Sequence, residues 1–239
     1  MKRIIFMVIR NIFVVPYLWI KLHYYAAHEE KYSDEQKRDM LKKIVYHANK
    51  GGNIIIDSVG QENIPKEQGF IFYPNHQGLY DVLAVIDACP FLFSVVSKKE
   101  VANVPVLKQT FKILKAYIID REDIRQSMEI INSIAKDVSK GKNFLIFAEG
   151  TRSKKGNQLN DFKGGSFKAA VKSKCPIVPL VIYDAYKAFD TNSIEKIIVK
   201  IRFLEPLVYE EYKDMKTVEI AKKVKLIIEN KIEELNSEN

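Results

Sequence analysis

Between Ser33 and Gly51 the apolar residues Met40, Leu41, Ile44, Val45 and Ala48 recur at three- and four-residue spacing. This pattern predicts an amphipathic helix, with Ser33 as its cap and a glycine at its end. Ahead of it, MKRIIFMVIRNIFVVPYLWIKLHYYAA is apolar and aromatic, but Arg10 and Lys21 interrupt it and its longest uncharged stretch runs only from Asn11 to Ile20. That is about half the length a spanning helix requires. No small-residue cleavage site follows a clean apolar core, so a retained anchor is expected rather than a removable signal. Basic residues bordering Ile, Phe, Trp and Tyr suit a helix lying in the interface of one leaflet, its cationic heads reaching toward anionic headgroups. Residues 1–52 therefore read as two antiparallel amphipathic helices forming a membrane-docking motif.

From residue 53 the period changes. NIIIDSVG, GFIFY, FLFSVV, AYIID and the unbroken NFLIFAE read as strands, and so does IVPLVI, where Pro179 implies an edge or a bulge. IIVKIRF alternates apolar and charged positions as a half-covered strand does. Helices are expected from Leu79, over VPVLKQTFKIL, along the stripe Ile124, Met128, Ile131, Ile134 and Val138, over GSFKAAVKS, and from Thr217 along Val218, Ala221, Val224, Ile228 and Leu235. The alternation predicts an α/β domain over 53–239, a mixed sheet flanked by helices on both faces.

With 239 residues, 47% of them hydrophobic, the chain can bury a full core. Its net charge of +8 points to an anionic partner. Cys89 and Cys175 match no metal or redox spacing, which suggests a reducing compartment. A nucleic-acid partner is not expected, because the aromatic and basic residues form no ribonucleoprotein motif. Ser166 sits in GGSF, which is not the G-x-S-x-G elbow of a serine hydrolase.

The chemistry concentrates at strand ends. In PNHQGLYD, His76 precedes Asp81 by five residues, about 140° apart on an unbroken helix, so the two side chains meet only if the chain bends. Pro74 and Gly78 supply that bend, and Asp81 falls in the first turn of the next helix. An aspartate there fixes the imidazole tautomer and stabilises the imidazolium, making His76 a candidate general base. Two more clusters end strands: Asp120-Arg121 and EGTRS, from Glu149 to Ser153. The second opens a basic stretch with seven Lys or Arg residues between Gly150 and Pro176, among them Arg152, Lys163 and Lys168, against the single acid Asp161. Arginine forks and mobile lysines suit phosphate oxygens.

Taken in order, NHQGLYD, IIDR, FAEGTRS and IVPLVI resemble the four blocks of the glycerolipid acyltransferases with a His-x4-Asp motif, typified by the 1-acylglycerol-3-phosphate acyltransferases. SKKEV at 97–101 and FKGGSF at 162–167 extend the resemblance across roughly residues 55–185. It implies His76 as catalytic base and Asp81 as orienting acid. Asn75, Lys98, Arg121, Glu149, Gly150, Thr151, Arg152, Lys163 and Pro179 are implied as substrate-binding positions. It also implies acyl transfer from acyl-CoA or an acylated carrier protein to lysophosphatidic acid, giving phosphatidic acid, at the cytoplasmic face of the cell membrane as a monotopic or peripheral protein. No metal is implied, and no cofactor beyond the acyl carrier as co-substrate.

Three positions depart from the family pattern: Gly78 stands where serine is usual, Ala148 where proline is usual, and Lys115 where glycine is common, with Tyr117 altering the same run. The third bears on acceptor identity. Another lysophospholipid or hydroxyl acceptor therefore stands as an alternative; a non-catalytic lipid-binding protein at the membrane surface is a separate one, against which the intact His76 and Asp81 argue. Backbone N–H groups near Gly78 are expected to serve the oxyanion.

Overall fold

The computed structural model describes residues 2–102, 107–120 and 123–238. The N-terminal helical motif is present, with a break in its first stretch: α1 (Lys2–Arg10) and α2 (Val15–Ala27) meet at 98°. Pro16 accounts for the break, since it offers no N–H to the preceding turn yet is well accommodated at the start of a helix. Asn11 holds the corner, donating from its amide to the carbonyls of Met7 and His47, each at 2.8 Å. Helix α3 (Asp34–Gly52) begins with a capping box between Ser33 and Gln36. Its end lies so close to α1 that a Cβ on Gly51 would stand 3.1 Å from the Met7 backbone, so glycine there lets the two helices touch.

The remaining chain builds one sheet. Strands β1 (Ile54–Val59), β2 (Ile71–Pro74), β3 (Ser94–Lys98), β4 (Tyr117–Ile119), β5 (Phe144–Leu145), β6 (Ile177–Tyr183) and β7 (Ile197–Phe203) lie in the order β1-β7-β6-β2-β5-β3-β4. Every pairing is parallel except β6 with β7, so the sheet is mixed. The ladder of β5 is shorter than NFLIFAE suggests, although Ile146 still donates to the Phe72 carbonyl. β6 is central and buried throughout, so Pro179 is not on an edge. It meets a bulge instead. Leu180 faces Phe203 while Ile177 faces Leu207, three residues against four, and the Pro179 carbonyl accepts from Leu204 at the start of the extra segment.

Helices α4 (Asp81–Ala88) and α5 (Leu107–Ile113) join α1–α3 on one face of the sheet, sharing a core that includes Leu22, Leu41, Val85 and Phe72. On the other face α6 (Ile124–Val138), α7 (Lys168–Ser173) and α9 (Thr217–Ser237) pack through Ile134, Ala170, Val224 and Ile228, and a short α8 (Tyr186–Phe189) follows β6. The chain leaves β2 for α4 on the first face and β5 for α7 on the second. The crevice beyond the carboxyl ends of these two neighbouring strands is therefore the topological switch point, where α/β sheets bind ligands.

Lys115 explains the glycine common at its position. Its φ of 50° is left-handed, a conformation glycine adopts without strain, and here its ammonium bridges to Glu29 at 3.1 Å, tying the N-terminal motif to the entry of β4.

Candidate active site

His76 follows β2 and Asp81 opens α4, and the intervening turn brings the pair together with Nδ1 at 2.8 Å from Oδ2. Asp81 is fully buried and also accepts from the backbone N–H groups of Gln77 (2.6 Å) and Gly78 (3.0 Å). A carboxylate can only accept in these contacts, so the imidazole proton sits on Nδ1 and the Nε2 lone pair is left for another partner. The amides near Gly78 are thus committed to Asp81, which corrects the expectation that they serve an oxyanion. Gly78 itself is tightly placed: a Cβ would stand 3.0 Å from the Asp190 carboxylate and 3.3 Å from the Tyr186 backbone, which explains the departure from serine.

The loop after β5 holds the histidine from the other side. The Phe147 ring stacks on the imidazole at 3.9 Å, the Ser153 N–H donates to the His76 carbonyl, and Glu149 accepts from the His76 N–H at 2.7 Å. The second Glu149 oxygen accepts from Asn160 N–H at 2.9 Å. Burial raises the Glu149 carboxyl above the usual carboxylate range, opposed by the two backbone donors. A group raised in this way favours the fold while protonated, and that contribution is lost as pH climbs from the ordinary carboxylate range through the raised value. Glu149→Gln places an NH2 against one of the two backbone donors and is expected to destabilise the fold by about 1–3 kcal/mol. Chemical denaturation across pH checks this: the gap between variant and wild type is expected to be widest in acid and to narrow as pH rises.

His76 opens into a cavity of about 740 Å³. Its lining is in part apolar, with Val82 and Leu83 of α4, Val95 of β3, Phe111 of α5, and Ile130 and Ile134 of α6. Basic side chains line it too: Lys98 from the end of β3, Arg152 and Lys154 from the loop after β5, and Lys163 beyond. Gly150 and Thr151 also line it. Arg152 stands 3.5 Å from Asp190, and Lys98 is 3.9 Å from Glu100.

Of the residues singled out in the sequence, His76, Lys98, Gly150, Thr151, Arg152 and Lys163 meet on this wall. Asp81, Asn75, Glu149 and Pro179 stand behind it. Asn75 is buried and clamps the end of β2 to β6, donating to the Ile182 carbonyl and accepting its N–H, both at 2.8 Å. Arg121 lies outside the described residues. Sequence reasoning missed Phe147 and Gln77: the first looked like one more apolar strand residue, the second like a spacer within the motif. Among the described residues, no group of three His, Cys, Asp or Glu side chains is arranged to hold a metal ion.

A chain with this architecture is known. The 1-acyl-sn-glycerophosphate acyltransferase PlsC from Thermotoga maritima superposes with a TM-score of 0.72 over 96% of this chain and 98% of its own, at 21% identity. The 1-acyl-sn-glycerol-3-phosphate acyltransferase of Salmonella typhimurium is 28% identical over 70% of this chain and 69% of its own length. Its namesake from Saccharomyces cerevisiae is 30% identical over 70% of this chain and 56% of its own. A model of the family described as Acyltransferase matches residues 55–183, from β1 to the end of β6. That span takes in the His76–Asp81 pair, the whole described lining of the cavity and the loop that orients the imidazole, and on it the chain belongs to the acyltransferase family.

Proposed function

We propose that this enzyme transfers a fatty acyl group from a thioester, acyl-CoA or an acylated carrier protein, to the sn-2 hydroxyl of 1-acyl-sn-glycerol 3-phosphate, giving phosphatidic acid. The observation that carries this reading is that His76, held by Asp81, opens into a cavity lined by both apolar and basic side chains. An acyl chain suits the apolar lining and a phosphomonoester the basic side chains, with the reacting hydroxyl and thioester beside the imidazole. The relatives named for this reaction support the same acceptor.

In this mechanism His76 Nε2 takes the proton from the acceptor hydroxyl while Asp81 stabilises the imidazolium through Nδ1–H. The oxygen attacks the thioester carbonyl, the new C–O bond forms, the C–S bond breaks, and the departing thiolate is reprotonated from Nε2. Arg152, Lys98 and Lys163 hold the acceptor phosphate, so that orientation supplies part of the acceleration. No cofactor takes part beyond the acyl carrier. The acceptor reaches the site from the cytoplasmic face of the cell membrane, on which α1 and α2 lie as a monotopic or peripheral anchor; no single helix among the described residues is long and apolar enough to cross it.

The test is transfer of labelled acyl groups from acyl-CoA and from acyl carrier protein to 1-acylglycerol 3-phosphate in micelles. Phosphatidic acid from either donor is the expected product. Transfer only to other lysolipids would replace the acceptor, and no transfer to any of them would remove the catalytic reading in favour of a lipid-binding role.

A further inference from the structure

Beyond the catalytic pair, a partly buried amide relay joins the His76 loop to the basic loop, and none of the family motifs includes it in full. Gln77 is 1% exposed, and its side chain turns away from the cavity. Its Nε2 donates to Asn157 Oδ1 at 2.6 Å and its Oε1 accepts from the Ala185 N–H at 3.0 Å. Asn157 lies on the loop that carries Arg152, Lys154 and Lys163. Its Oδ1 also accepts from the Asp184 N–H at 2.9 Å, and its Nδ2 donates to Asp184 Oδ1 at 3.0 Å. Asp184 holds a left-handed φ of 64° at the turn after β6, and its other oxygen accepts from Lys187 at 2.7 Å. Each polar atom of the two amides facing the relay has a partner, which gives a rigid junction rather than a loose contact.

We propose that Asn157 and Gln77 are positioning residues that set the distance between the phosphate-holding loop and the catalytic base; this inference rests on the acyltransferase reading above. Three segments distant in the chain meet at Asn157: residues 76–78 with the base, 150–163 with the cations, and 184–190, which carries Asp190 opposite Arg152. Glu149 and the Ser153 N–H tie the near end of the basic loop to the His76 backbone, and Asn157 ties its middle to the residue next to His76. With these ties in place, a phosphate held by Arg152 sits at a fixed offset from Nε2. Removing the Asn157 tie leaves the near-end bonds, the His76–Asp81 bond and the Phe147 stack intact but frees the middle of the loop to shift, and a displacement near 1 Å is enough to cost about 100-fold in rate.

The prediction separates positioning from general damage. In Asn157→Ala, kcat/KM for 1-acylglycerol 3-phosphate is expected to fall by about 10- to 100-fold. For 1-acylglycerol, which lacks the phosphate, the fall is expected to be at least about tenfold smaller, because its placement does not depend on the basic loop. In an Arg152→Ala background the same substitution is expected to add little, since the arginine that the tie positions is already gone. Equal losses on both acceptors, or full additivity with Arg152→Ala, would overturn the inference. Asn157→Ser, smaller and still polar, gives the same comparison if the alanine variant fails to fold. A wild-type enzyme inactive on every acceptor would remove the acyltransferase reading and this inference with it. An active wild type with equal losses would remove the inference alone.

Discussion

His76→Ala is expected to slow acyl transfer by about 10²- to 10⁴-fold, the usual range for a lost general base. The fold is expected to survive. The His76 ring is partly exposed, its backbone contacts with Glu149 and Ser153 do not involve the ring, and Asp81 keeps its two backbone donors. Asp81→Asn is the sharper variant. Oδ2 accepts from both His76 and Gln77, whereas Oδ1 meets the Gly78 N–H, so an asparagine oxygen kept at the Oδ2 position holds the Nδ1 proton in place and turns its NH2 toward Gly78. The tautomer survives, but the negative charge that stabilises the imidazolium is gone. A loss approaching that of His76→Ala is expected, with a cost in stability from the NH2 opposed to the Gly78 donor. Because the two residues act as one unit, the double variant is expected to be no slower than the worse single variant. Initial rates with labelled donor, beside thermal melting of each variant, check all three statements; undiminished turnover in His76→Ala would end the assignment of the base.

The parts legible in the sequence are those written locally. The Ser33 cap, the α6 helix and the bend between His76 and Asp81 each depend on residues within a few positions of one another, and each is found in the structure, although Ile124, the first residue of the expected stripe, is exposed. Pro16 was equally local, yet the continuous apolar composition around it masked the corner it makes. Strand order is another matter. Nothing in IIVKIRF shows that β7 inserts between β1 and β6, running antiparallel to one and parallel to the other, because pairing partners lie far apart in the chain. The site divides in the same way. Spacing and resemblance pick out His76 and Arg152, but Gln77 and Asn157 are eighty residues apart. Alone, each is an ordinary polar loop residue. Asn75 and Glu149 belong to recognisable motifs, and only their partners show them bracing the wall from behind.

Aspartate at both Ile9 and Phe13 is expected to lower partitioning onto anionic vesicles by roughly 10²- to 10⁴-fold. The two side chains are 60% and 95% exposed, in company with Ile5 and Ile20, so the corner between α1 and α2 presents large apolar groups to the surroundings. Such a patch is costly in water and useful against lipid. Burying each large side chain contributes about 1.5–3 kcal/mol, and the pair together corresponds to the stated range. Arg10 over the Phe6 ring and Lys21 near Tyr17 and Tyr25 place cations at the same surface, where each adds about 1 kcal/mol against anionic headgroups and is weakened by salt. Wild-type binding is therefore expected to fall with ionic strength without vanishing, the apolar part remaining. The double variant is expected to melt like wild type, since neither side chain is buried in the fold, and to keep its turnover on a dispersed short-chain acceptor while losing it on acceptor embedded in vesicles. Sedimentation with vesicles and the two assays side by side distinguish the outcomes. Unchanged vesicle binding would show that the exposed face of α1 and α2 is not the docking surface, whereas loss on both acceptors alike would place the defect in the catalytic domain, which shares its core with Met7, Leu18 and Leu22 on the opposite side of the same helices.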